Sequence, residues 1–471
     1  MSTFVTLSRS CNQALGLGEF AIDFLAGRLG PGPSEAVRQR TRDFHHDATL
    51  CGLSAVALGT NAPTVLRAEA MEYADPRGAR LLGTETRVKP EKAIVANGAA
   101  VREWDSNGTN FGYRPALGHT AGEFGHNDFY GVAVAAAEVA GRSDEDALLG
   151  MILIDEIRGR LAEVFSLKTY KIDHVVHGAI ASAVTYAAML GGTAEQIESA
   201  VGMFVAHHIP WRAIRAGKQL SDSKGASAAI STEAAVLCAQ RALRGFVGPK
   251  DIFRNPESVF RQFVRTDGDS PFDLVLSHSG DDFAVMGMHF KLGLYEHQSA
   301  SAIHGLLQLL TEHPELREPG AIQRILIRAY EPAFGIIGDP AKRNPTTRQS
   351  ADHSMVYIVA RLLRNARRSS AATFADLWDE TMLMPGDYAD EAIFDSETRE
   401  IMELIAFEHG GAAYDAAYPE GIPTSLHLDT VRGAVETPMI LFPVGHARND
   451  GEHLSRLLAA KWARLGALAG V

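Results

Sequence analysis

Thirteen consecutive residues, Gly178–Leu190, are small or apolar on nearly every side of a helical wheel. A helix with no polar stripe has no face to offer water, so it must lie inside a bundle. The punctuation around it agrees. Gly191-Gly192 ends the run, and Thr193-Ala194-Glu195-Gln196 has the spacing of a capping box that opens a further helix. Asp146–Phe165 carries Leu148, Leu149, Ile152, Ile154, Ile157 and Leu161 close to a 3.6-residue period. Gly225–Gly245 repeats the small-residue theme, which lets helices approach closely.

The character changes after about residue 270. Ile322–Tyr330 alternates like a strand, and Gly338–Arg348 is a Pro-containing basic loop. Thr398–Phe407 and His453–Leu468 return to helix. The expected architecture is mainly α: an all-helical domain built from both chain ends (1–270 and 398–471) with an inserted, smaller α+β lid domain (271–397). At 471 residues the chain is long enough for two or three domains.

A net charge of −12, with no Lys/Arg-rich block, argues against a nucleic-acid partner. Cys11, Cys51 and Cys238 lie far apart, which excludes a disulfide framework and disfavours a Cys-ligated zinc or iron–sulfur centre. No Gly-x-Gly-x-x-Gly fingerprint or P-loop indicates a nucleotide, and no His-x-x-x-His or His-Glu-x-x-His pair indicates a metal. Acidic residues interrupt the apolar part of Met1–Gly30, and no apolar run approaches the roughly 20 residues of a membrane span. A cytoplasmic protein without a membrane partner is expected.

Chemistry concentrates in a few places. Trp104-Asp105-Ser106-Asn107-Gly108-Thr109 and Gly125-His126-Asn127-Asp128 lie between the apolar stretches Val95–Ala100 and Val132–Ala140. A site for a polar substrate explains such a run; so does a capped surface loop, since Asp, Asn, Gly and Thr are turn formers. Asp173-His174 precedes the buried helix. Arg212-x-x-Arg215 precedes Lys224, whose place at a helix start opposes the macrodipole and asks for a counter-charge or a task, unless it is a surface lysine at a loop end. His289, Lys291, Tyr295 and His297 crowd together, Asp352-His353-Ser354 is followed by Tyr357, and His446 closes Pro443-Val444-Gly445-His446. A lone histidine beside an apolar helix is more often a hydrogen-bonded core residue than a catalyst.

The order and spacing of these clusters resemble the MmgE/PrpD family over nearly the whole chain. Asn97-Gly98 with Trp104–Thr109 is similar to the family's Asn-Gly and Asp-x-Asn-Asp-Thr segment, and Gly125–Asp128 to its Gly-His-Pro-Ser. Asp173-His174 with Ala179–Ser182, Arg212-x-x-Arg215, Lys224-Gly225-Ala226, Lys291 and His297, His353-Ser354 with Tyr357, and Phe442–His446 resemble further segments in the same order. Gly108 stands where the family has an acid, Asn127-Asp128 replace Pro-Ser, Ser223 replaces Trp, and the Lys291–His297 interval is one residue short.

The resemblance implies a cofactor-free lyase of a small tricarboxylate, a homodimer, with its site in the cleft between the domains and no metal. The implied reaction is dehydration of 2-methylcitrate to 2-methyl-cis-aconitate in propionate catabolism. Decarboxylation of cis-aconitate and epimerisation of a dicarboxylic acid are the alternatives within the family; a non-catalytic helical scaffold is the alternative outside it. The implied catalytic residues are Asp105, His126, His174, Lys224, His297 and Tyr357, with Thr109, Arg212, Arg215, Lys291 and His353 binding substrate. Removing a proton beside a carboxylate builds charge on a group already charged, so cations must stabilise it, and His and Lys supply the acid and base.

Overall fold

The computed structural model describes residues 3–215, 219–449 and 451–471, without the side chain of Ile336. The chain divides into two compact units. The first comprises Met1–Glu103, Asn107–Ala213 and Ala226–Met288; the second comprises Trp104–Ser106, Ile214–Gly225 and His289–Val471.

The first unit is built round the helix Val175–Met189, in which every residue is buried. It packs against Asp144–Val164, Ala194–His207, Tyr130–Ala140 and Gln13–Leu25. Small residues permit this: a Cβ on Gly178 would lie 2.0 Å from the Phe129 ring. The all-round apolar pattern thus marks a central helix, and each fully buried side chain such as Ile180 contributes about 1.5–3 kcal/mol. The flanking helices start where their caps dictate. Ser143 and Asp146 form a reciprocal capping box, and Thr193 and Gln196 form another. A cluster of Phe165, Phe253, Phe260 and Phe272, with rings 4.7–5.9 Å apart, fills the end of the unit. The unit is not all-helical: it includes three two-stranded ladders, among them Phe4–Leu7 with Leu274–Ser277 and Thr109–Phe111 with Phe124–His126.

The second unit holds a four-stranded sheet ordered Gly433–Glu436, Thr424–Thr430, Ile322–Ala329, Ile405–His409, with only the last pair parallel. Ile325, Ile327, Leu426 and Leu428 face the core, while Arg324 and Arg328 meet Asp429 and Glu408 on the outer side. The helices Ala300–Glu312 and Met355–Ala366 pack together, and the first lies against the sheet.

This corrects two expected boundaries. Residues 398–471 do not join the N-terminal helices. The helix there stops at Glu403, Ile405–His409 extends beside Ile325–Ala329, and Thr424–Thr430 pairs on that strand's other edge. The terminal helix Leu454–Ala469 pairs Arg456 with Asp376 and Arg464 with Asp379, again within the second unit. Residues 271–288 belong instead to the first unit, because Leu274–Ser277 pairs with Phe4–Leu7. Among the described residues no single helix is long and apolar enough to cross a membrane.

Candidate active site

In the second unit, three residues distant in sequence converge on Asp105. Its backbone has φ +49°, left-handed for a non-glycine residue, a conformation that Asp tolerates better than most. Its carboxylate Oδ2 lies 3.1 Å from Lys224 Nζ and 2.9 Å from His353 Nε2, and its Oδ1 takes Lys291 Nζ. Lys291 also donates to the Asp105 carbonyl at 2.8 Å. Lys224 Nζ lies 3.1 Å from His353 Nδ1 and 3.9 Å from Asp352, while Asp352 holds His353 Nδ1 at 2.5 Å and Arg348 at 3.0 Å. All but Arg348 are buried.

The helix position of Lys224 is now explained. It sits in the first turn of Asp222–Leu243, where the dipole disfavours a cation, and Asp105 supplies the counter-charge. Among the described residues, three permanent cations (Lys224, Lys291, Arg348) lie within 4 Å of the two carboxylates (Asp105, Asp352). At an effective dielectric of about 20, unit charges 4 Å apart interact by about 4 kcal/mol, so this surplus attracts an anion. Burial alone would raise the Asp352 carboxyl, but Lys224, His353 and Arg348 together hold it below its ordinary value. His353 has both ring nitrogens on carboxylate oxygens, a geometry that can carry a proton from one to the other.

Asp105, Asp352 and His353 could also be read as metal ligands, with candidate atoms within 4.8 Å of one another. Two ammonium groups already share the Asp105 oxygens. A divalent cation would have to sit beside both, so the donor set does not fit a resident metal.

His297 lies in the same unit, in a stack of imidazoles. Its ring centroid is 5.0 Å from that of His289, which is 4.0 Å from that of His446. Burial, reinforced by the charges of Lys291 and His446, pushes His297 well below the ordinary histidine range against the pull of Asp105. Its ring is therefore neutral at pH 7 and can accept a proton. Burial and Arg448 push His446 down to about 3. Tyr357 is placed differently from the expectation: its hydroxyl donates to the Asp387 carbonyl, which engages it in holding the chain. Arg215 ends the short turn Arg212–Arg215 and acts electrostatically on Lys342, which burial pushes down, helped by that charge.

The first unit holds a second cluster. His126 ends the strand Phe124–His126, and its ring lies 5.2 Å from that of His174, which precedes the central helix. Arg102 approaches His126 at 3.3 Å and Asp128 at 3.6 Å, and Asn107 donates to Asp128 at 2.6 Å. Gly125 is required here, because a Cβ would lie 2.1 Å from the buried Arg158 guanidinium. A side chain at Gly108 would strike the Phe44 ring at 2.5 Å, so an aromatic wall stands where the family motif carries an acid. Thr109 gives its hydroxyl to the Gly125 carbonyl at 2.9 Å and serves the hairpin. Arg212 acts on Lys168 and Glu123: burial lowers Lys168 to about 8, Glu123 opposes this, and Arg212 adds to it.

Asp105, Lys224, Lys291 and His353 are thus brought together, as are His126 and His174, whereas Thr109 and Tyr357 give their hydroxyls to main-chain carbonyls. Asp352 and Arg348 were not among the expected site residues. Asp352 was visible as the immediate neighbour of His353, and Arg348 lies four residues earlier, one helical turn away. Arg102 was marked by closing the helix Pro90–Arg102, after the small and apolar residues 98–101 and just before the polar run.

Comparison with known proteins gives a consistent answer. The MmgE/PrpD N-terminal domain matches residues 24–271 and the MmgE/PrpD C-terminal domain matches residues 295–468. A 2-methylcitrate dehydratase of Escherichia coli (strain K12) is 26% identical over 81% of this chain and 77% of its own. The mitochondrial 2-methylcitrate dehydratase of Yarrowia lipolytica is 26% identical over 83% and 72%. Alkylcitrate dehydratase phiI of a fungal species is 24% identical over 90% and 83%. With both domains matched in order across most of its length, the chain belongs to the MmgE/PrpD family.

Proposed function

We propose that this protein is a hydro-lyase that dehydrates 2-methylcitrate to 2-methyl-cis-aconitate without a cofactor. The observation that carries the reading is the convergence of two buried lysines, and of half-buried Arg348, on the Asp105–Asp352 carboxylates, which suits a substrate bearing several carboxylates. The names of the relatives, 2-methylcitrate and alkylcitrate dehydratases, support the same substrate class.

In this reading Lys224 and Lys291 exchange part of their hold on Asp105 for a substrate carboxylate. They stabilise the second negative charge that develops on it when the neighbouring C–H is broken, an electrostatic role worth about 10²–10³-fold per donor. Neutral His297 accepts that proton. The C–H electron pair becomes the new C=C bond, the C–O bond breaks, and His353, backed by Asp352, protonates the departing hydroxyl to water. Each proton transfer is worth about 10²–10⁴-fold. The His126–His174 pair is a second imidazole cluster, with Arg102 beside it, and takes no step in this reading.

The test is incubation of the purified protein with 2-methylcitrate, citrate, cis-aconitate and a panel of dicarboxylic acids. New conjugated-alkene absorbance from 2-methylcitrate is expected. Carbon dioxide release from cis-aconitate, or inversion of a dicarboxylate without alkene, would replace the dehydratase reading by its relatives. Silence across the panel would leave a scaffold.

A further inference from the structure

The terminal helix Leu454–Ala469 buries one face, made of Leu457, Leu458, Lys461, Leu465 and Gly466. Lys461 thus occupies a position on a leucine stripe, and it is 0% exposed. Burying an ammonium group is costly and a leucine there would avoid that cost, so packing gives no reason for a lysine. The place where its Nζ goes does. It donates at 2.8 Å to the carbonyl of Ser106, the residue after Asp105.

The carbonyl of Asp105 itself accepts from Lys291 at 2.8 Å, and the Ser106 hydroxyl donates to the Gly293 carbonyl at 2.7 Å. Two successive peptide groups are therefore held by two buried ammonium groups, and the side chain between them by a third bond. The residue so held is one of three non-glycine residues with positive φ among those described. Such a conformation persists only where its surroundings over-determine it, and it aims the carboxylate that Lys224, Lys291 and His353 share.

We infer that Lys461 is a positioning residue: from the far end of the chain it fixes the Asp105–Ser106 turn and so the geometry of the cationic site. The inference rests on the reading of that site as catalytic. A site residue displaced by even 1 Å costs rate more than affinity, and this fixes the form of the test.

Lys461→Met and Lys461→Arg are compared with the parent on 2-methylcitrate, with hydrogen exchange followed across the full chain. Lys461→Met is expected to lower kcat at least about tenfold with KM within about threefold, and Lys461→Arg to recover part of the loss. Exchange is expected to rise over Trp104–Asn107 while Leu454–Ala469 stays protected. Unchanged kcat, or a rise in exchange confined to the terminal helix, overturns the inference and leaves Lys461 a docking residue. Should Lys461→Met fail to fold, Ser106→Ala removes the other tether of the same turn and must lower kcat and loosen 104–107; parent-like behaviour in both overturns the inference. If the parent itself turns over none of the acids, the catalytic reading fails, and the exchange at 104–107 still decides whether Lys461 holds the turn.

Discussion

Two buried ion networks in this protein use the same residue classes and reach opposite balances. Around Arg160, one guanidinium serves Glu156 at 2.8 Å, Glu163 at 2.6 Å and Asp282 at 3.1 Å. Around Asp105, two lysines, an arginine and a histidine serve two carboxylates. The consequence is visible in the acids. Burial pushes the Glu156 carboxyl above its ordinary value despite Arg160, whereas equally buried Asp352 is held below its own. The spare acceptor capacity of Glu156 goes to the backbone N–H groups of Ser277 and Ala284, tying chain segments together. The surplus at Asp105 is cationic and carried mostly by lysines, single-point donors on flexible stems that can change partner. The first network is a staple; the second is suited to receive an anion.

The sharpest way to break this contrast is Arg160→Met. It takes the guanidinium from the buried Glu156 and Glu163, while exposed Asp282 keeps Arg114, and removing one partner of a buried ion pair costs about 3–5 kcal/mol of stability. Chemical denaturation should show that loss, while turnover per folded molecule stays near the parent value. A stable but inactive variant would show that the Arg160 network is more than a staple.

Next in size is Lys224→Ala. It should cut turnover at least about a hundredfold, equivalent to about 2.7 kcal/mol of barrier, with circular dichroism unchanged. Near-parent turnover would remove Lys224 from the site.

Acid should act on the second unit with a sign set by its depressed groups. Asp352 contributes stability that is present above about pH 4 and is lost as pH falls through its lower folded value. Below about pH 6.5 an unfolded His446 binds a proton that the native ring refuses until about 3. Stability therefore falls on acidification through that window, by up to about 1.4 kcal/mol per pH unit for one such group. His446→Gln should flatten the decline between pH 6.5 and 4.5 by about that amount; an unchanged slope would mean that the native ring titrates normally. The smallest expected effect is none at all. Dialysis against a chelator should leave turnover as it was, and a loss restored by a divalent ion would assign Asp105, Asp352 and His353 to a metal.

The sequence made these networks unequally legible. Asp105, Lys224, Lys291 and His353 stood out as charged or ionisable residues set close to apolar or small-residue stretches, and it was the family resemblance that named them as site residues. Thr109 and Tyr357 are also polar, yet their hydroxyls are spent on main-chain carbonyls, and local sequence does not encode such long-range partners. The strand Ile405–His409 was read as the end of a helix because five residues hold too little alternation to override the helical pattern before them. Its pairing with Ile325–Ala329 is a tertiary contact. Lys461 was legible in principle, as a lysine in register with Leu457, Leu458 and Leu465.

The central claim, that the cation surplus at Asp105 receives the substrate, is tested most directly by a crystal structure with 2-methylcitrate bound. The account predicts a substrate carboxylate within about 3 Å of Lys224 Nζ or Lys291 Nζ, with at least one of these ammonium groups drawn from Asp105. A tricarboxylate ordered elsewhere, with both lysines still on Asp105, would contradict it.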